Sequence, residues 1–406
     1  MQNGTLLVVA GKFPLLQHLT QTGHTLINFQ KPRFFDRRSP ALCEASVLMD
    51  LDKTDELVEL AQVLSHRRKL IGAYSQNEFG LFAAARINEV LASTCRFNPS
   101  STVQAARDKG RFREINGFGA LACRTDNPWQ ICSTHRELSE FLTQSDWPEG
   151  LIVKPRCGVA SMGVKRVRNA EDIASIEIPG EGLLAELFVR GTQFSVETFS
   201  FNGTHRLICI NQEALSECGA SNEFVNVGHM LPMNLGRELN ERLFDSAKTA
   251  LDAIGLIHGP CHTEMIVSNG EVFIIEMNTR PAGSPIPEMI FASTGFDLYS
   301  LCVDWFLGRD VEPRIELHAN GGAAVRHFMP PPGRLLAVHG LEQAQSVKGV
   351  SRVMLQVSPG QIIPTLESGF ERAGYVTAVG DSPESAYASC CLAVSLVQFE
   401  VDPHSA

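Results

Sequence analysis

The tightest constraint in the chain is a pair of apolar segments, HTEMIVS and EVFIIEMN, joined by Asn269-Gly270 and running on into Thr279-Arg280-Pro281. Asn-Gly between two such runs marks a hairpin, because both residues tolerate the left-handed backbone of a tight turn. Side chains at i, i+2 and i+4 of a strand share a face, so Glu276, Asn278 and Arg280 should leave the second strand on one side. A two-residue loop would pair Glu264 with Ile275 and separate the glutamates. A three-residue loop, with one extra residue as a bulge, pairs Glu264 with Glu276, and this register is the expectation. Two carboxylates and an amide oxygen are hard donors suited to Mg²⁺, which keeps positions open for phosphates. A surface hairpin with an Arg280–glutamate ion pair is the simpler alternative.

The 406 residues suffice for two or three domains, and 44% hydrophobic content is ordinary for a globular chain. A net charge of −10 without a Lys/Arg-rich block argues against nucleic acid or an anionic membrane as partner. No apolar run reaches the length of a membrane span, and MQNGTLLVVAGK lacks the features of a signal peptide, so a cytoplasmic protein is expected. Eleven cysteines without a CxxC spacing fit reduced thiols, and Cys390-Cys391 lies in a helical apolar stripe that reads as core.

Residues 5–10, a helix to about Thr20 and a strand at Thr25–Phe29 predict an opening β-α-β unit. AGKFP lacks the spacing of a phosphate-binding Walker loop, which leaves Lys12 as a surface residue. TDELVELAQVLSHRRK predicts a helix capped by Thr54, with Leu57, Leu60, Ala61 and Leu64 on one face; a strand ending near Tyr74 and another helix follow. A domain boundary is read at FNPSS, then one basic helix through TVQAARDKGRFREI, and a further boundary in the Pro/Gly-rich 307–322 stretch. Beyond it the pattern alternates like strands and closes with one helix. The expected domains are 1–98, 99–312 (a lid at about 115–190) and 313–406.

A second constellation is LIVKPRCGVASMGVKRV. A buried strand ends at Lys154 and enters a loop containing Gly158, Ser161, Met162 and Gly163. Small residues let backbone N–H groups approach phosphate oxygens while the lysine supplies a point charge. A plain hairpin with a Gly-rich tip is the alternative. Farther on, Glu186-Leu187-Phe188 precedes a link and another strand, and could offer backbone groups to an adenine edge between apolar walls.

Taken in order, Lys109 in ARDKGRFRE, Lys154 in IVKP, the Gly loop, AELFVRGTQFSVE, and Glu264, Glu276, Asn278 and Arg280 resemble the ATP-grasp superfamily in its carboxylate–amine ligase branch. The hairpin is similar to the form found in L-amino acid ligases, the dipeptide-forming enzymes of the bacilysin type. The resemblance implies an α/β and α+β chain: a Rossmann-like pre-ATP-grasp domain, the ATP-grasp domain, and a C-terminal domain like that of biotin carboxylases. It implies that Lys109, Lys154 and the 157–164 loop hold ATP phosphates and that Glu186, Leu187 and Phe188 form the adenine hinge. Glu264, Glu276 and Asn278 would ligate Mg²⁺, with Mn²⁺ as the substitute. Arg280 would grip the substrate carboxylate, while His229, Gly283 and Ser284 line the amino-acid site. As a residue in its own right, His229 also reads as a core or surface histidine.

Two departures stand out. Gln193 occupies the place of a ribose-binding glutamate, which puts nucleotide selectivity in doubt. Ser284 stands where some dipeptide ligases carry a bulky aromatic, suggesting a roomier pocket. The implied reaction forms an amide between two amino acids through an acyl phosphate, with release of ADP and phosphate. The implied partners are small carboxylates and amines, with a homodimer through the N-terminal domain by family analogy. A non-proteinogenic acid or amine, and a non-catalytic ATP-binding module, are the alternatives.

Overall fold

The computed structural model describes residues 4–120, 129–144, 149–215, 223–283, 285–309, 311 and 320–403, without the side chains of 116–120. The N-terminal unit runs β1 (Thr5–Val9), α1 (Phe13–Thr20), β2 (Thr25–Gln30), β3 (Ala45–Leu48), α2 (Thr54–Ser65), β4 (Leu70–Tyr74) and α3 (Glu78–Val90). Its four strands are parallel, in the order β3-β2-β1-β4. Every residue of β1 is buried, as a central parallel strand requires. Helix α2 buries Leu57, Val58 and Ala61, but Lys53 rather than Thr54 holds the cap position, because the helix starts one residue earlier than the threonine signal suggests.

Two helices, α4 (Ser100–Arg107) and α5 (Lys109–Ala120), replace the single helix expected there. Asp108 breaks the run: its backbone is extended, and its Oδ1 accepts from Gly110 N at 3.0 Å and Arg111 N at 3.2 Å, capping α5. Lys109 and Arg113 thereby fall one turn apart on a rigid helix. Next come β5 (Trp129–Cys132), α6 (His135–Thr143), β6 (Leu151–Pro155), β7 (Lys165–Val167), α7 (Ala170–Ala174) and β8 (Leu183–Leu187). They form an antiparallel sheet, β5-β8-β6-β7, with its own core around Leu138, Phe141, Leu151 and Val153.

The remaining strands and helices are β9 (Thr192–Phe201), β10 (Thr204–Leu215), β11 (Asn226–Leu231), α8 (Arg237–Ile254), β12 (Gly259–Ser268), β13 (Glu271–Asn278), α9 (Ile286–Thr294), α10 (Leu298–Phe306), β14 (Gly322–Phe328), β15 (Gly333–His339), α11 (Leu341–Gln345), β16 (Val350–Leu355), β17 (Ile362–Ile363), β18 (Gly374–Gly380), α12 (Pro383–Leu396) and β19 (Gln398–Asp402). An eight-stranded sheet, β13-β12-β9-β10-β11-β14-β18-β16, runs through both the central and the C-terminal segments. The last helix is therefore not the end of the fold: β19 follows it and pairs with β15. Cys390 is buried in α12, and every described cysteine is free. Among the described residues no helix is long and apolar enough to cross a membrane.

Period-two alternation gives this sheet two unlike faces. Phe194, Val196, Ile210, Met265 and Met277 pack against Leu243, Ala247 and Leu251 of α8. Their neighbours Gln193, Ser195, Glu197, Asn211, Glu213, His262, Glu264, Glu276 and Asn278 line the other face.

Glu264 pairs with Glu276, as expected, but by a different route. The loop is the two-residue Asn269-Gly270, with φ of 51° and 80°, and the extra residue is a bulge at Ile275 inside the strand. Asn269→Ala is expected to cost about 1 kcal/mol, because alanine lacks the local hydrogen bonds that ease left-handed backbone. A urea melt reads this, and activity should stay within about twofold, since surface changes away from a site perturb little.

Candidate active site

β13 is an edge strand, and its bulge turns two backbone carbonyls outward. Arg113 Nη2 donates to the Ile274 and Ile275 oxygens, each at 3.0 Å, and Lys154 Nζ donates to Ile275 O at 3.3 Å. Both cations also meet Glu186, Arg113 Nε lying 3.0 Å from its Oε2 and Lys154 Nζ in direct contact with its Oε1. All three side chains are at least nine-tenths buried. Burial would raise the Glu186 carboxyl, but Arg113 and Lys154 hold it below the usual range. Burial outweighs the glutamate at Lys154 and lowers that ammonium. Of the adenine hinge expected at residues 186–188, Glu186 has its backbone paired between β5 and β6 and its side chain against Lys154.

One turn before Arg113, Lys109 Nζ lies 3.0 Å from Glu276 Oε2 and 3.4 Å from Gly158 O. Burial alone would raise Glu276, yet Lys109 and then Lys154 pull it down to about 2. Asn278 Nδ2 donates to Glu276 Oε1 at 3.2 Å. The expected loop joins here: Ala160, Ser161 and Gly163 have φ of 57°, 59° and 69°, and Met162 is exposed at its tip. Two successive non-glycine residues in left-handed backbone store strain of the kind found at ligand clamps. Ser161 Oγ donates to Phe224 O at 2.8 Å, and Gly369 N donates to Ala160 O at 2.9 Å, so the loop touches both β11's approach and the C-terminal segment.

Farther across the sheet, the Gln193 amide donates to Glu213 at 2.9 Å and to Glu264 at 3.2 Å. The residue expected at a ribose bridges these two carboxylates. His262 Nδ1 meets Glu197 at 2.7 Å and its Nε2 meets Glu264 at 3.2 Å, and Glu213, His262 and Glu264 each place a ligand atom within 4.8 Å of the others. Such a set could hold a cation, with Glu197 orienting the imidazole. His229, held by Asn211 at 3.0 Å, is driven well below the usual histidine range by burial and by His327 and Arg372. Burial, then Glu264, pushes the Glu213 carboxyl up to about 8.

Arg280 lies beyond the end of β13 rather than on it. Its Nε meets Glu78, the buried first residue of α3, at 3.2 Å, tying this turn to the N-terminal unit. Lys12 is exposed at the start of α1, as expected, although burial of its ammonium and the nearby Arg280 lower it. Gly283 is exposed with open space around it, while Ser284 lies outside the described residues.

Lys109, Lys154, Glu264, Glu276 and Asn278 thus meet at one end of a polar sheet face, with Gln193 and His229 farther along it and the loop above. The sequence reading passed over Arg113, Glu197, Asn211, Glu213 and His262. The polar alternations Gln193-Ser195-Glu197, Asn211-Glu213 and His262-Glu264 carried that signal. An all-oxygen pair of facing carboxylates with an amide fits Mg²⁺, and two buried lysines under a left-handed loop fit nucleotide phosphates.

This arrangement is that of an ATP-grasp protein, and residues 125–284 match the ATP-grasp domain. Residues 326–402 match the L-amino acid ligase C-terminal domain 2, so the chain carries both an ATP-grasp domain and a segment similar to the C-terminal part of L-amino acid ligases. It is 28% identical over 265 residues to the uncharacterized protein y4rH of Sinorhizobium fredii, covering 63% of this chain and 54% of that one. It is 25% identical over 238 residues to alanine–anticapsin ligase of Bacillus subtilis, covering 51% and 48%. The matches thus span about half the length of these relatives. The crystal structure of the L-amino acid ligase from Bacillus licheniformis superposes over 99% of this chain and 100% of its own, with a TM-score of 0.84 at 20% identity, which establishes the fold.

Proposed function

We propose that this protein is an ATP-dependent ligase that joins two amino acids, or amino-acid-like substrates, through an acyl phosphate. The observation that carries this reading is the facing pair Glu264 and Glu276, set beside Lys109 and Lys154 and followed at once by Arg280. The match to an L-amino acid ligase domain and the relative named alanine–anticapsin ligase support amino acids as substrates.

Lys109 and Lys154 neutralise phosphate charge, and their ion pairs keep them in place before nucleotide arrives. Glu264, Glu276 and Asn278 would hold Mg²⁺, which would supply positive charge against the phosphate oxygens. Arg280, fixed by Glu78, presents its guanidinium to the carboxylate that attacks the γ-phosphorus. The 157–164 loop excludes water from the acyl phosphate until an amine displaces phosphate from it. His229, kept neutral by its surroundings, lies on the face the amine must approach.

Release of ADP and phosphate from MgATP, measured against paired L-amino acids with mass detection of products, tests this. A dipeptide mass that requires two amino acids is the expected result; no turnover with any pair, in protein that binds ATP, would transfer the reading to a non-proteinogenic acid or amine. Arg280→Ala should keep ATP affinity but lose about 10²–10³-fold in ADP release, the scale for removing one aimed charge. ADP release at the wild-type rate would take Arg280 out of the reaction.

A further inference from the structure

Among the described residues, four buried polar atoms at or beside the polar sheet face have no hydrogen-bond partner: Asn211 Oδ1, Glu213 Oε1, His327 Nδ1 and Arg372 Nε. Asn211, Glu213 and His327 are 0%, 7% and 6% exposed. Native interiors rarely leave such atoms unpaired, because each costs the desolvation of a polar group. Glu213 lies opposite His229, which lies opposite Val325, and His327 follows two residues later on the same side of β14. Arg372 precedes β18, and its charge acts on Glu213, His229 and His327 together.

The four atoms sort by chemistry. Asn211 offers an oxygen that only accepts, Glu213 one that accepts from an ammonium once ionised, and Arg372 a nitrogen that only donates. His327 Nδ1 can donate when it carries the ring proton. A ligand that satisfies all of them presents N–H donors at one end and carboxylate oxygens at the other. We propose that these residues form the seat of a free α-amino acid, with Arg372 and His327 taking its carboxylate and Asn211 and Glu213 its amino group.

The seat rests on the ligase reading and assigns it a substrate. Glu213 is the member near Glu264, whereas Arg372 comes from the C-terminal side of the sheet. The amino group therefore faces the reaction centre and the carboxylate points away from it, the orientation of the acceptor that attacks an acyl phosphate. A phosphate is the other anion Arg372 could meet. Arg372 packs against Gly369, which donates to Ala160 O of the 157–164 loop at 2.9 Å, so MgADP is measured beside the amino acid to separate the two anions.

Binding tests the seat without turnover. In the presence of MgADP, the twenty proteinogenic L-amino acids are screened for a rise in Tm. The one with the largest effect is titrated calorimetrically beside its carboxamide, into wild type, Arg372→Gln and Arg372→Lys. Wild type should favour the free acid by at least about 30-fold, the low end for losing one partner of a buried charge pair. Arg372→Gln should abolish that preference with MgADP affinity unchanged, and Arg372→Lys, which keeps the charge and controls for folding, should retain part of it. Three results would overturn the proposal: no amino acid binding to wild type, equal binding of acid and amide, or a loss in Arg372→Gln that falls on MgADP instead. Binding as expected in a protein that makes no ADP with any substrate pair would sink the ligase reading and leave the seat standing.

Discussion

Glu276→Gln is expected to cut ADP release by about 10²–10³-fold, the cost of removing one aimed electrostatic group. The carboxylate serves two partners, the cation it would ligate and Lys109 at 3.0 Å, so alanine at this position carries a second penalty. Lys109 is only 7% exposed, and stripping a buried charge of its partner costs about 3–5 kcal/mol. Glutamine keeps an acceptor for Lys109 and isolates the chemical role. The pH dependence separates the two further. Because the Glu276 carboxyl falls from 4.5 to about 2 on folding, it contributes stability above about pH 4.5 that is lost as pH falls through 2. Chemical melts between pH 2 and 5 should show that acid limb in wild type and a flatter one in Glu276→Gln. Turnover within threefold of wild type would leave the hairpin as a structural ion pair.

Local pattern made the hairpin, the opening β-α-β, the strand carrying Lys154 and the glycine loop after it legible before any coordinates. Each of these is written within about twenty residues of chain, in alternation, glycines and turn residues. What stayed hidden depends on residues far apart in sequence. The bulge at Ile275 and a three-residue loop give the same Glu264–Glu276 pairing, so the sequence supported the right register for the wrong reason. The value of the bulge appears only when Arg113 and Lys154 arrive from other elements to take the carbonyls it turns outward. Glu186 looked like backbone for an adenine because its partners sit 32 and 73 residues away. Gln193 has the spacing of a ribose ligand, yet Glu213 and Glu264 claim its amide once β9 lies between β10 and β12. Arg372 belongs to no motif, and nothing in one sequence ties it to Glu213.

The charge arrangement around Glu186 sets the other large effect. Glu186 is 5% exposed and is the shared counter-ion of Arg113 and Lys154, so Glu186→Leu leaves two buried cations facing each other. Removing one partner of a buried pair costs about 3–5 kcal/mol, and here two cations lose theirs, so the variant is expected at or beyond the upper end of that range. Lys154→Met leaves the Arg113–Glu186 pair intact and should cost far less stability while weakening ATP binding. The double variant Glu186→Leu/Lys154→Met removes one cation together with the anion, so part of the lost stability should return while ATP affinity stays low. Urea melts give the coupling between the two positions, and calorimetry gives the nucleotide affinity. If the two stability changes simply add, Glu186 does not hold Lys154. If ATP affinity returns with the stability, Lys154 is a folding residue and the phosphate site lies elsewhere.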